Sequence, residues 1–141
     1  MADTNNFLEI ERKFLIHLDK IDLSLLPSSK IKQGYILRAE TGSVRIRIEE
    51  RKLFDKLDNN VHYVTDSYMM IKKRVDEMSN QEITIPLQYE TAMEILDKNC
   101  YKPPIEKTRY IYQIDELKWE IDVFEGHRKG LVLAEVEITS R

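Results

Sequence analysis

The amino-acid sequence predicts a mainly β (α+β) fold, about eight antiparallel strands able to close into a barrel, with one or two helices. Three observations carry that expectation. Segment after segment alternates apolar and charged residues with a period of two, turn residues separate those segments, and only one stretch carries a convincing helical repeat. Eight antiparallel strands can close into a barrel whose interior just holds one small ligand.

The first strand, Phe7 to Phe14, places Glu9, Glu11 and Lys13 on one face against Ile10 and Phe14, with Ile16 continuing the apolar side. Residues two apart in a strand repeat at roughly 6.6 to 6.8 Å, so the three charges form a row. A slip of one residue would bury them. After a short 3₁₀ turn around Ser24–Pro27, a second strand is expected over Ile31–Arg38, and Thr41-Gly42 turns the chain into a third. That third strand puts Arg45, Arg47 and Glu49 opposite Val44, Ile46 and Ile48. Residues 51–66, rich in Asp, Asn and Lys, read as either a mobile loop or an extended hairpin. Tyr68–Arg74 aligns Lys72 with Arg74; Glu82–Ile85 is a short strand ended by Pro86, which cannot donate to a ladder.

Tyr89–Leu96 carries Ala92, Met93, Ile95 and Leu96 at helical spacing. Ile105–Tyr112 then aligns Lys107 with Arg109. Lys118–Phe124 aligns Lys118, Glu120 and Asp122 against Trp119, Ile121 and Val123, and Trp119 is expected to pack the helix onto the outer wall. Leu131–Thr139 closes the set, with Glu135 and Glu137 against Val132, Ala134, Val136 and Ile138.

At 141 residues the chain reads as one domain, 1–141, long enough to bury a sizeable core. Charged residues are 33% and apolar ones 42%, the balance of a soluble globular protein. No apolar run spans a bilayer and the first residues lack the pattern of a secretory signal. Cys100 is the only cysteine, which makes a reducing cytoplasm the expected setting and an internal disulfide impossible. The net charge of −3 argues against nucleic acid or an anionic membrane as partner, so any anion site must be local. A homodimer stays open. His17, His62 and His127 lack ligand spacing and read as surface residues; Cys100, after the helix, reads as a small apolar one.

The charged rows are sorted by sign. The first and last strands carry carboxylates, while the third, fourth and sixth carry pairs of Lys or Arg. If these rows line one cavity, bound phosphate would be repelled by the carboxylates unless a hard cation, Mg²⁺ or Mn²⁺, bridged the two. Arginine forks and compact lysine charges together suit several phosphoryl groups in sequence.

These residues resemble the CYTH, or triphosphate tunnel metalloenzyme, family. Glu9-Ile10-Glu11-Arg12-Lys13 matches its Glu-x-Glu-x-Lys signature, followed in the family's order by Gln33-Gly34-Tyr35, Val44-Arg45-Ile46-Arg47, Ile71-Lys72, Lys107-Thr108-Arg109 and Gly130 to Glu137. The resemblance implies an eight-stranded antiparallel β-barrel tunnel with one or two outer helices, a triphosphate-containing substrate and a divalent cation. It implies that Lys13, Arg45, Arg47, Lys72, Lys107 and Arg109 hold the phosphates, with Arg74 a further candidate on the face of Lys72. Glu9, Glu11, Glu135 and Glu137 would bind metal, with Glu49, Glu120 and Asp122 second choices, and Glu9 and Glu11 would face Glu135 and Glu137 across the cavity. Tyr35 and Lys107 would pair near the terminal phosphate, although a barrel tyrosine equally often packs its ring.

The Gln-Gly-Tyr run followed by Arg-x-Arg is closest to bacterial inorganic triphosphatases. Class IV adenylate cyclases, triphosphatases for thiamine triphosphate or nucleotides, and non-catalytic triphosphate- or polyphosphate-binding modules share the phosphate-reading residues. Two departures stand out. Asn80-Gln81-Glu82-Ile83-Thr84 keeps one acid where the family usually has several, leaving Glu82 balanced between a site residue and a surface one. Similar proteins also carry a helical tail after the last strand, whereas this sequence stops at Arg141, four residues past Glu137.

Overall fold

The computed structural model describes residues 5–15, 22–55 and 57–139, with side chains described for 22–53 and 57–136. The strands are β1 (Asn5–Leu15), β2 (Ser28–Ala39), β3 (Gly42–Asp55), β4 (Asn60–Arg74), β5 (Ser79–Pro86), β6 (Ile105–Ile114), β7 (Leu117–Phe124) and β8 (Val132–Thr139). All pairs are antiparallel, in the order β1-β5-β4-β3-β2-β6-β7-β8, and β1 returns to β8, so the eight strands form a closed barrel. Closure gives every strand two neighbours, which the alternating pattern alone did not guarantee.

Most strands outrun their alternating cores. Residues 51–66 are the hairpin and not the loop: β3 and β4 stay in register from Gly42↔Lys73 to Asp55↔Asn60. Asn59, at φ 59, supplies the left-handed residue of its turn, and Asp58 Oδ1 accepts from the Asn60 amide at 2.9 Å. A register shift between Tyr35 and Leu37 marks a bulge that bends β2.

The apolar face of β3 points outward. Helix α1 (Tyr89–Lys98) lies across β3 and β4, burying Ala92 and Leu96 against Ile46, Ile48 and Cys100. Each fully buried side chain the size of Leu or Ile contributes roughly 1.5–3 kcal/mol. Gly34 permits this close approach: a Cβ there would lie 2.8 Å from both Cys100 Cβ and Leu96 Cδ1. Trp119 takes no part in that cluster. It sits on β7 opposite Tyr112 and Val136, whereas the helix covers β3 and β4, several strands away around the barrel. Face periodicity identified the outer wall but not which strand the helix would cross.

With the apolar side chains beneath the helix, the inner faces are left to the charged rows. A protein interior lined by charges keeps them only if they are paired, hydrated or reserved for a ligand.

Candidate active site

The barrel encloses a cavity of about 600 Å³. Its lining takes alternate residues from each strand: Arg45, Arg47, Glu49 and Arg51 from β3, Lys107 and Arg109 from β6, Lys118, Glu120 and Asp122 from β7, and Glu135 from β8. Tyr35, Lys72 and Glu82 also face it. Among the described residues, ten Lys and Arg meet five Asp and Glu on this surface, in a chain whose net charge is −3. The described part of the lining is thus rich in positive charge, in a setting where low-dielectric walls strengthen its field.

The cations fall into two groups. Lys107 and Arg109 converge on Asp122: Lys107 Nζ donates to Oδ2 at 2.7 Å, and Arg109 Nε and a terminal nitrogen donate to Oδ1 and Oδ2 at 2.8 and 3.0 Å. Arg109 also reaches Glu120 at 3.4 Å. Burial alone would raise the Asp122 carboxyl, but the two cations outweigh it and hold it down at about 2. The same partners raise Arg109 above the usual guanidinium range despite its burial. Lys107 moves the other way, pushed down to about 8 by burial and by neighbouring Arg109, with Asp122 only partly compensating.

Arg47 is different. It is 4% exposed, its Nε donates to Gln33 Oε1 at 2.8 Å, and no described carboxylate lies within ion-pair distance. Burial, then the nearby Arg45 and Arg109, push its guanidinium down to about 10. Arg45 likewise has no described carboxylate partner; it contacts Met70 Sδ at 3.4 Å and Tyr35 Oη at 3.5 Å. Burial would raise the Tyr35 phenol, yet Arg45, Arg38 and Lys72 together draw it below its ordinary value. Arg38 stacks over the Tyr35 ring at 5.0 Å from its centroid.

The carboxylates are distributed unevenly. Tyr68 Oη donates to Glu49 Oε1 at 2.6 Å and Ser29 Oγ donates to Oε2 at 2.7 Å. Burial opposes ionisation of Glu49, but those two bonds with Arg47 and Arg109 lower its carboxyl; the Tyr68 phenol is correspondingly pushed up to about 12, first by burial and then by the carboxylate. Glu82 Oε2 is buried and accepts no hydrogen bond, although the Lys72 ammonium stands 3.5 Å away as an ion-pair contact. Glu82 is therefore an interior residue and not a surface one.

For β1 and the end of β8 the register speaks. Glu11 is opposite Glu137, Lys13 opposite Glu135, and Glu135 in turn opposite Glu120 on β7. Antiparallel partners share a sheet face, so positions 9, 11, 13 and 137 belong to the face of Glu135, while their side chains lie outside the described residues. Because β1 and β8 are neighbours, these positions stand side by side on one wall and not across the cavity from each other. No cluster of three or more potential ligands occurs among the described residues. The donor set nevertheless suits a hard divalent cation: it is all carboxylate, and one of its buried oxygens, on Glu82, has no hydrogen-bond donor.

Arg74 leaves the set. It is exposed at the end of β4, opposite Asn80 of β5, and its guanidinium donates to the Asp76 and Glu77 carbonyls of the β4–β5 turn. Ser29, Gln33, Arg38, Tyr68 and Arg128 join the lining without having been assigned roles. Arg38 lies beyond the β2 bulge, which shifts the faces of the residues that follow, and Arg128 sits in a turn, where periodicity gives no face; the other three are uncharged and leave no mark in a charge pattern. His62 pairs with Asp58 on the surface at 3.3 Å, His127 is exposed, and Cys100 is buried with its thiol raised by that burial.

An inward charged lining around a closed eight-stranded barrel defines a class of anion-binding barrels. The model of the CYTH domain matches residues 8–140, and the chain belongs to that family. It is 35% identical over 130 residues to an inorganic triphosphatase of Acetivibrio thermocellus, covering 92% of this chain and 74% of that protein. It is 33% identical over 134 residues to an inorganic triphosphatase of Nitrosomonas europaea, covering 94% and 77%. A solved structure described as an inorganic triphosphatase aligns with a TM-score of 0.56 at 27% identity, over 94% of this chain and 75% of that one. A Pyrococcus furiosus protein of 20% identity, aligned over 94% and 80% with a TM-score of 0.63, shares the fold.

Proposed function

We propose that this chain is a triphosphatase that hydrolyses inorganic triphosphate to pyrophosphate and phosphate. The observation that carries this reading is Arg47, a buried cation with no described carboxylate partner, beside Arg45 in a cavity whose described lining holds twice as many basic as acidic residues. A buried charge left without a counter-ion is costly, and a polyanion is the partner that would neutralise it. The names of the relatives at 33–35% identity support phosphate chains as that polyanion.

In this reading Arg45, Arg47 and Lys72 take the phosphate oxygens, with Lys13 at its register position on the same face. Gln33 fixes the Arg47 guanidinium through its Nε, which leaves the terminal nitrogens for bidentate contact. Lys107 and Arg109, tied to Asp122, hold a second set of donors at fixed positions, so little reorganisation is needed as charge develops on the leaving pyrophosphate. Tyr35, beside Arg45, is placed to donate to the same phosphate chain.

Glu9, Glu11, Glu135 and Glu137, with Glu82 near them, would hold Mg²⁺ or Mn²⁺, which when bound neutralises phosphate charge. Asp122 serves better as the counter-ion of Lys107 and Arg109 than as a ligand, because both its oxygens are already engaged. Water attacks the terminal phosphorus in line with the bond to the departing pyrophosphate oxygen, and catalysis is largely positioning and electrostatics.

Phosphate release from tripolyphosphate and from ATP, with and without Mg²⁺ or Mn²⁺, tests the proposal. Metal-dependent release favouring tripolyphosphate is expected. Cyclic AMP from ATP would make the chain a cyclase, and tight tripolyphosphate binding with no release under either metal would make it a binding module.

A further inference from the structure

We infer that Glu49 is a specificity-determining residue that ends the phosphate-binding section of the cavity on the side of the β3–β4 hairpin, limiting the length of linear phosphate chain the barrel accepts. The substrate class rests on the triphosphatase reading; the role of Glu49 rests on the charge order along β3.

Arg45, Arg47, Glu49 and Arg51 all line the cavity from one strand face, at a repeat of roughly 6.6–6.8 Å. Arg45 and Arg47 have no described carboxylate within ion-pair distance. The sign then reverses at Glu49, and the next cation, Arg51, is already neutralised by Asp66 at 2.7 Å. An anion lying along this wall therefore finds unpaired cations up to Arg47 and none immediately beyond.

The hydroxyls at this level reinforce the reversal. Tyr68 and Ser29 are the local donors that could have served a phosphate oxygen, and both donate instead to Glu49, at 2.6 and 2.7 Å. Charge-assisted bonds this short keep the carboxylate ionised and fixed. On β6, Lys107 and Arg109 stand level by register with Glu49 and Arg51, but they already face Asp122 and Glu120, so that side brings no net positive charge. A phosphate chain long enough to pass Arg47 would place its next anionic group against a rigid carboxylate with no unpaired described cation to offset the repulsion.

The test compares binding of tripolyphosphate and of a defined linear polyphosphate several times longer, by calorimetric titration with Mg²⁺ present, for wild type, Glu49→Gln, Glu49→Ala and the charge-retaining Glu49→Asp. Removing the charge should raise affinity for the long chain relative to tripolyphosphate by tenfold or more in Gln or Ala, whichever folds by circular dichroism, while Asp keeps the wild-type ratio. A ratio within twofold of wild type in the neutral variants would overturn the inference. So would a tenfold rise in the Mg²⁺ needed for binding, since Glu49 would then be a metal ligand. Wild-type protein that binds both chains without releasing phosphate would sink the triphosphatase reading alone, because the affinity ratio would still decide the role of Glu49.

Discussion

Arg47 can be replaced by Met to separate a ligand-binding arginine from a structural one, because the two roles predict opposite responses. Its guanidinium is pushed down from the ordinary arginine range to about 10, a depression worth on the order of 3 kcal/mol. The folded chain holds that proton less tightly than the unfolded one. The charge therefore costs stability at every pH below about 10, and the cost fades only as pH climbs from there towards the ordinary guanidinium range. Against this stands the charge-assisted bond to Gln33, contributing about 1.5–3 kcal/mol.

The two terms nearly cancel, so Arg47→Met should leave the ligand-free protein within about 1 kcal/mol of wild type, a melting shift of a few degrees. Function should respond far more. Losing one or two charge-assisted contacts to phosphate, at about 1.5–3 kcal/mol each, lowers kcat/KM by roughly 10- to 10⁴-fold. The paired assay is a thermal melt with and without tripolyphosphate, alongside steady-state phosphate release. A variant that loses several kcal/mol of stability yet keeps its tripolyphosphate kinetics would refute the reasoning, since Arg47 would then be an ordinary buried ion with an undetected partner.

Asp122→Asn should behave in the opposite sense and cost about 3–5 kcal/mol in urea unfolding, because Lys107 and Arg109 would be left buried without their counter-ion. With its carboxyl held at about 2, the stability Asp122 supplies is complete above its unfolded value near 4 and is lost as pH falls through about 2, which an acid titration of the urea midpoint would read in wild type and not in the Asn variant. Lys107, brought down to about 8, should give kcat/KM an alkaline limb near that pH, and Lys107→Arg should move the limb upward; a profile flat to pH 10 would show that its charge is not needed. Gly34→Val should lose about 1–3 kcal/mol by pushing against Cys100 and Leu96, measured by the same unfolding series, with no selective effect on KM.

Much of the barrel was legible along the chain. Glu9-Ile10-Glu11, Arg45-Ile46-Arg47 and Glu120-Ile121-Asp122 announce strands because a period of two sends neighbouring side chains to opposite faces of a sheet, and the turn residues at Asn59 and Asp115 fall where φ is 59 and 53. Face assignment was equally readable for regular strands: Arg45, Arg47, Lys72, Lys107, Arg109 and Glu135 all line the cavity. It fell short at the exposed end of a strand, as at Arg74, and where a residue follows a bulge or sits in a turn, as with Arg38 and Arg128. Ser29 and Tyr68 left no mark, and Gln33, although part of the Gln-Gly-Tyr run, received no role, because neutral polar residues carry no sign to sort.

The sequence by itself determined the strand pattern, the inward face of each regular strand and the stock of phosphate- and metal-binding groups. Only the tertiary structure decided which of those groups neutralise one another. It joined Lys107 and Arg109 to Asp122, turned Tyr68 and Ser29 towards Glu49, left Arg47 with Gln33, and brought the Glu11 and Glu137 positions together on adjacent strands. The physical reason is that periodicity along a strand fixes direction but not register between strands. Hydrogen bonds and ion pairs depend on separations of about 3 Å between residues far apart in the chain, and those separations are set by how the barrel closes.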